Sequence, residues 1–246
     1  MRATLAVTKR VLMQLRRDPR TLILVFAVPS LLMSLLYWIL IDTQLFDRIA
    51  HAIFALFPFL VMFLVASITT LRERRSGTLE RTLTMPVSRA AFIGGYALAF
   101  SLLSLVQTFI TVAVCVMWLG VDVDGSLAAF FGIALLDALV GTAAGLTASA
   151  FARTEFQVVQ FVPAVVVPQF LLCGLLVPRA DMPRILEVIS AAMPVSYAVD
   201  AMQSLGGVPD QAAFPQGNIG IDAAILLAVC VVLLGVASLS LRRRTP

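Results

Sequence analysis

The sequence predicts an all-α membrane protein with six transmembrane helices, on three grounds. Hydrophobic residues make up 60% of the 246 positions and charged ones only 13%, which leaves too little polar surface to solvate a globular domain of this length. The apolar residues fall in runs long enough for a helix rising ~1.5 Å per residue to cross a hydrocarbon core of ~30 Å. Fifteen of the 18 basic residues collect on one side of those runs, as the positive-inside rule requires of short loops.

The six runs are Thr21 to Ile41, Ala52 to Leu71, Ala91 to Leu119, Ser126 to Phe151, Phe156 to Val177 and Asp222 to Leu241. The third has length to spare for tilt. The fifth carries Pro163 and Pro168, which a membrane helix tolerates where neighbours re-satisfy the freed carbonyls, so a kink is expected there. Ahead of the first run, Leu5, Thr8, Val11, Leu12 and Leu15 recur at helical spacing, with Lys9, Arg10, Gln14, Arg16 and Arg17 on the other face. This pattern predicts an amphipathic interfacial helix within residues 1–20, its basic face toward anionic lipid. A flexible basic tail is the alternative. A cleaved signal peptide fits poorly, because the first run is longer than a signal core and no small-residue cleavage site follows it.

Arg2, Lys9, Arg10, Arg16, Arg17 and Arg20 precede the first run; Arg72, Arg74, Arg75, Arg81 and Arg89 lie between the second and third; Arg153 follows the fourth; Arg242, Arg243 and Arg244 follow the sixth. Only Arg48, Arg179 and Arg184 fall on the opposite side. Both termini are therefore expected in the cytoplasm, which requires an even number of spans. The whole chain, 1–246, reads as one transmembrane domain. No basic patch interleaved with aromatics suggests nucleic acid. Cys115, Cys173 and Cys230 sit inside apolar runs without metal-ligand spacing and read as small hydrophobes, and no metal site is expected.

Residues 72–89, reading RERRSGTLERTLTMPVSR, form the one sizeable loop on the basic side between spans. Gly77 can cap a short helix, Glu80 meets the positive end of its dipole, and Pro86 stops it. Leu79 and Leu83 lie one turn apart and give that helix an apolar face rimmed by charge, either a docking surface or part of a loop whose arginines only fix topology.

The stretch Glu73-Arg74-Arg75-Ser76-Gly77-Thr78-Leu79-Glu80, followed by Met85-Pro86-Val87-Ser88-Arg89, resembles the loop after the second span in membrane subunits of type-2 ATP-binding-cassette exporters. The likeness extends over nearly the whole chain. It implies that Glu73, Gly77, Thr78, Leu79, Glu80 and Leu83 belong to a coupling helix that docks on an ATPase subunit. Residues 177–221, with Pro178, Pro183, Pro194, Pro209 and Pro215, hold two apolar stretches: Ile185, Leu186 and Ile189, then Tyr197, Val199 and Met202. The resemblance implies short re-entrant helices here that close the outer end of a pathway. Pro194, Tyr197, Asp200 and Ala201 match the family pattern P-x-x-Y-x-x-D-A at this gate, while Gln203 stands where the family has a basic residue, which puts the gate's salt bridges in question.

The chain has no G-x-x-x-x-G-K-[ST], and its one lysine, Lys9, has no glycines before it, so it builds no P-loop. ATP and magnesium are expected on a partner subunit, with no cofactor bound by this chain. The resemblance implies two ATPase copies, a second permease subunit as homodimer or heterodimer, and a bacterial cytoplasmic membrane. Drugs, lipids or amphipathic metabolites are the implied cargo, with surface polysaccharide as the competing class.

Asp137 is the one carboxylate well inside a predicted span, where a charge costs about 2.5 to 3.5 kcal/mol on insertion scales. It is either a proton relay, substrate contact or coupling residue, or an acid that fixes helix packing. Gly141, Gly145 and Ser149 extend from it as a small-residue stripe for close helix packing, within this chain or with a second copy. Phe54, Phe57, Phe59 and Phe63 enrich the second span in aromatics, with Phe57 and Phe63 candidates for a pathway wall or for packing. His51 reads as an interfacial residue. An ion-coupled secondary transporter or channel is the alternative function, resting on Asp137 and the two prolines of the fifth span. A membrane-embedded enzyme lacks a catalytic set.

Overall fold

A computed structural model describes residues 2–41, 45–75, 89–121, 123–207 and 218–240. The described residues are helical, without strands. Six helices are long and apolar enough to cross a membrane, so the chain is a multi-pass membrane protein.

The first helix, α1 (Arg2–Arg16), precedes the spans. The spans are α2 (Pro19–Leu40), α3 (Leu45–Arg75), α4 (Arg89–Met117), α5 (Leu127–Phe151), α6 (Glu155–Leu172) and α9 (Ile219–Ser240). Between the last two lie a 3-10 turn (Arg179–Asp181) and the short helices α7 (Arg184–Ala191) and α8 (Pro194–Leu205). The α7–α8 pair bends by 91°, as a broken span or a re-entrant loop does.

Local chemistry sets the helix starts. Asp18 caps α2 by accepting from the Thr21 N–H at 3.2 Å and the Thr21 hydroxyl at 2.6 Å, ahead of Pro19, the favoured residue for the first helical position. Those Thr21 bonds hold the Asp18 carboxyl below its ordinary range. Ser126 caps α5 and Thr154 caps α6 in the same way. At α6 the Gln157 carboxamide oxygen also accepts from the Arg153 N–H at 2.6 Å, a reciprocal arrangement close to a capping box.

The fifth span is shorter than its apolar run. It stops at Leu172, not Val177, because Gly174 turns the chain at φ +94°, a left-handed conformation that glycine adopts without steric cost.

Helix α5 is the centre of the bundle, packed by α3, α9, α4 and α8. The Gly141 and Gly145 stripe meets α3 of the same chain: a Cβ on Gly141 would lie 2.4 Å from the Phe59 carbonyl oxygen, and one on Gly145 2.4 Å from that of Phe63. Backbone-to-backbone approach of this kind is what small residues at four-residue spacing permit. On its other faces α5 is tied by Thr147, whose hydroxyl donates to the Leu233 carbonyl on α9 at 2.9 Å, and by Thr142, 3.4 Å from the Ser104 hydroxyl on α4.

Helix α1 packs against α4 with Val7, Thr8, Val11 and Leu15 buried, while Leu5 is 60% exposed. Thr8, Val11 and Leu15 are buried as expected and Leu12 packs partly buried beside them, while Val7 is buried in place of Leu5. Gly95 is the reason. A Cβ there would lie 2.6 Å from Val7 Cβ, and the Gly95 carbonyl accepts from the Thr8 hydroxyl at 3.1 Å. Val7, Val11 and Leu15 of α1 are therefore seated on protein, while Leu5 and Met13 stay exposed.

Candidate functional site

Two polar clusters sit at opposite ends of the bundle. The first closes the last turn of α3, immediately before residues 76–88. Glu73 is buried there, and its carboxylate accepts from the Arg10 guanidinium, the Tyr96 hydroxyl and, at 2.6 Å, the Gln14 side-chain amide. Arg10 also donates to the Tyr96 oxygen at 3.1 Å. One carboxylate thus joins α1, α3 and α4.

The neighbouring arginines of that turn reach other helices. Arg72 forms a two-pronged ion pair with Glu155 at the start of α6, at 3.0 and 3.1 Å. Arg74 donates to the Ser149 carbonyl at the end of α5, at 2.6 Å. Residues 72–74 therefore anchor α3 to α1, α4, α5 and α6 at the point where the loop leaves. Within the expected coupling segment, Glu73 points into the subunit. Gly77, Thr78, Leu79, Glu80 and Leu83 lie outside the described residues.

The second cluster is built around Arg179, which is fully buried. Its guanidinium pairs with Asp200 on α8, and its Cζ lies 5.6 Å from the centroid of the Tyr197 ring, within cation–π range. Tyr197 donates to the Ala191 carbonyl at 2.6 Å and so fastens α8 to the end of α7. Pro194 opens α8, and the next N–H, of Val195, is taken by the Gln169 carboxamide oxygen on α6 at 3.3 Å. Ser190 donates to the Leu172 carbonyl at 2.7 Å. The structure thus brings Pro194, Tyr197 and Asp200 onto one short helix whose turns are fixed to α6, α7 and the Arg179 turn.

The positive charge expected near residue 203 is supplied from another place in the chain. Gln203 is buried, and Arg179 meets Asp200 from the turn after α6. Two nitrogens of Arg179, Nε and Nη2, and one oxygen of the buried Asp222 at the start of α9 have no hydrogen-bond partner among the described residues.

Of the remaining candidates, Phe63 is buried and stacked on Phe59 at 6.4 Å between centroids. With Gly145 against its carbonyl, Phe63 is a packing residue in this arrangement. Phe57 is half-buried at the edge of the same core. Asp137 is fully enclosed in α5, and neither carboxylate oxygen has a partner among the described residues. His51 is buried, not interfacial, packed edge-on against Phe130 at 6.0 Å. Among the described residues no group of three or more His, Cys, Asp or Glu side chains could hold a metal.

Sequence reasoning missed Tyr96, Gln14 and Arg179. The first two carried only periodicity information, and Arg179 only topology information. A fully buried arginine beside an aspartate one hairpin away has no local signature.

The helical arrangement, with its bent pair before the last span, coincides with a family match: residues 2–205 match the ABC-2 type transporter family. The chain belongs to that family. The match covers both clusters and the loop between α3 and α4. The chain is 27% identical over 186 residues to the probable multidrug ABC transporter permease YbhS of Escherichia coli (strain K12), a stretch covering 74% of this chain and 47% of that protein. It is 29% identical over 136 residues to the inner membrane transport permease YhhJ of the same organism, covering 55% and 36%. It is 24% identical over 164 residues to ABC transporter G family member 20 of Dictyostelium discoideum, covering 67% and 22%. The matched stretches span about half or less of the length of these relatives. In this ABC-2 chain both clusters therefore sit in the part that matches the family.

Proposed function

We propose that this chain is the permease subunit of an ATP-driven exporter that moves a hydrophobic or amphipathic substrate out of the cell, powered by separate ATPase subunits. Its family places it in an ABC transporter assembly. The observation that carries the mechanical reading is the anchoring of α3 at residues 72–74, directly before the loop that resembles a coupling helix. A loop whose root is bonded to four helices passes a push into the bundle as a whole. A loop hung on a free helix end would dissipate it.

In this reading the ATPase docks on Gly77, Thr78, Leu79, Glu80 and Leu83, while Glu73 holds the root of the loop. Two permease subunits, identical or not, meet around the pathway. Both termini and α1 face the cytoplasm of a bacterial cell, and the Arg179 cluster lies at the outer end. ATP and magnesium remain on the ATPase, and the membrane part contributes different affinities for cargo in two conformations, which is what links a ligand to a conformational change. The cargo class is supported by relatives named as probable multidrug permeases and by the apolar character of the spans.

The experiment is co-expression with the ATPase encoded beside the gene, followed by purification in detergent through a tag on this chain. Co-purification that is lost in Leu79→Asp with Leu83→Asp supports the reading. A folded chain that transports alone in liposomes and binds no ATPase overturns it.

A further inference from the structure

A groove of about 700 Å³ runs along the bundle between α2 and α4, in the half nearer α8. Its walls include Phe26, Ala27, Ser34 and Trp38 from α2, with Ile110 and Trp118 from α4 and the residues just after it. The walls are almost wholly apolar, and the Ser34 hydroxyl is turned back onto the Ser30 carbonyl at 2.8 Å. We propose that this groove is a binding site for an acyl chain of a bilayer phospholipid, drawn from the leaflet at the α8 end.

Dimensions favour that occupant. From Phe26 to Trp38 a helix rises about 18 Å, close to the roughly 15 Å of hydrocarbon in one leaflet. Trp38 and Trp118 stand together at the mouth, 77% and 82% exposed, at the ends of their spans where tryptophan marks the headgroup level. The groove opens onto apolar surface, since its lining residue Leu31 is exposed, as are Leu35 on α2 and Phe109 on α4.

Helix α2 fully buries Val25, Pro29 and Met33, and the groove is a gap in its packing against α4 whose walls lack the contacts that a close-packed interior would supply. A methylene chain in the groove provides them. The bound lipid is then a packing element of this subunit.

The chain has two tryptophans, both at the groove, so intrinsic fluorescence reports on it alone. The purified protein is reconstituted in phosphatidylcholine vesicles with unlabelled or chain-brominated lipid, and in parallel is extracted in mild detergent and weighed by native mass spectrometry. The expected result is quenching of both Trp38 and Trp118, read in Trp38→Phe and Trp118→Phe, and a phospholipid retained on the wild-type chain. Ala27→Phe, which fills the groove, loses the retained lipid; Ser34→Leu, a smaller change on the same wall, weakens retention should Ala27→Phe fail to fold. Absence of quenching overturns the proposal, because it means protein, such as a second copy, covers the groove. Retention unchanged in both folded variants overturns it as well.

Discussion

The Tyr96 hydroxyl donates to the Glu73 carboxylate inside the subunit, so the last turn of α3 is fixed to α4 before the intervening loop begins. Arg10 and Gln14 complete the same carboxylate from α1. Removing Glu73 takes the carboxylate from Arg10, which is 31% exposed, and from the buried Tyr96 hydroxyl, and hydrogen bonds to a charged group contribute about 1.5–3 kcal/mol. Glu73→Ala is therefore expected to melt several degrees lower in detergent. Tyr96→Phe removes two hydrogen bonds, the one donated to Glu73 and the one accepted from Arg10, and costs about 2 kcal/mol. In the assembled transporter, Tyr96→Phe should keep ATPase binding and reduce transport per ATP hydrolysed, a ratio that a purely structural contribution would leave unchanged.

Arg179 and Asp200 form a pair enclosed by α6, α7 and α8. Desolvating both charges is expensive, and the cost of losing one partner exceeds the cost of replacing both. Arg179→Leu and Asp200→Leu are each expected to lose about 3 kcal/mol, and the double substitution less than the sum by at least 1 kcal/mol. Thermal unfolding of the four proteins in the same detergent gives the cycle. Additive losses would place the two charges in separate environments.

The glycines of α5 offer a matched comparison. A Cβ on Gly141 would collide with backbone of α3 at 2.4 Å, whereas one on Gly132 meets nothing within 4 Å. Backbone cannot swing aside as a side chain does, so Gly141→Ala should destabilise by about 2 kcal/mol. Gly132→Ala should be neutral or stabilise by up to about 1 kcal/mol, since alanine is the better helix former. Unfolding midpoints in detergent check both.

The six spans were legible because length and hydropathy decide them, and no tertiary contact is needed to read a run such as Ile219–Ser240. The end of the fifth span was not. Its apolar run continues through Leu175 and Leu176 to Val177, and only the left-handed turn at Gly174 breaks it. The buried face of α1 takes Val7 in place of Leu5 for a similar reason, since Gly95, far off in the sequence, decides which side of α1 can approach closely. Glu73 was found as a site residue from its motif, but its partners at positions 10, 14 and 96 follow from helix packing. The Arg179–Asp200 pair joins residues 21 apart through two turns and a short helix, and neither hydrophobic periodicity nor loop charge counting encodes that meeting. The small-residue stripe was legible as a contact, and its partner, α3 of the same chain, only from the fold.

Asp137 divides transport powered by ATP from transport powered by an ion gradient. A proton relay needs successive groups that can pass a proton along. The Asp137 oxygens have no partner among the described residues, and no cluster of His, Cys, Asp or Glu lies among them. A fully enclosed acid in that setting is expected to fix the packing of α5. Asn has nearly the same shape and cannot ionise. Asp137→Asn is therefore expected to melt within about 1 kcal/mol of the wild type and to retain transport at neutral pH when assembled with its ATPase. Asp137→Leu, larger and branched in a close-packed core, should lose about 1–3 kcal/mol through overpacking. Measuring uptake into inverted vesicles with ATP present, and separately with only a proton gradient, separates the two energy sources. Loss of gradient-driven uptake in Asp137→Asn, with gradient-driven uptake present in the wild type, would assign the acid to an ion pathway and make the chain a secondary transporter.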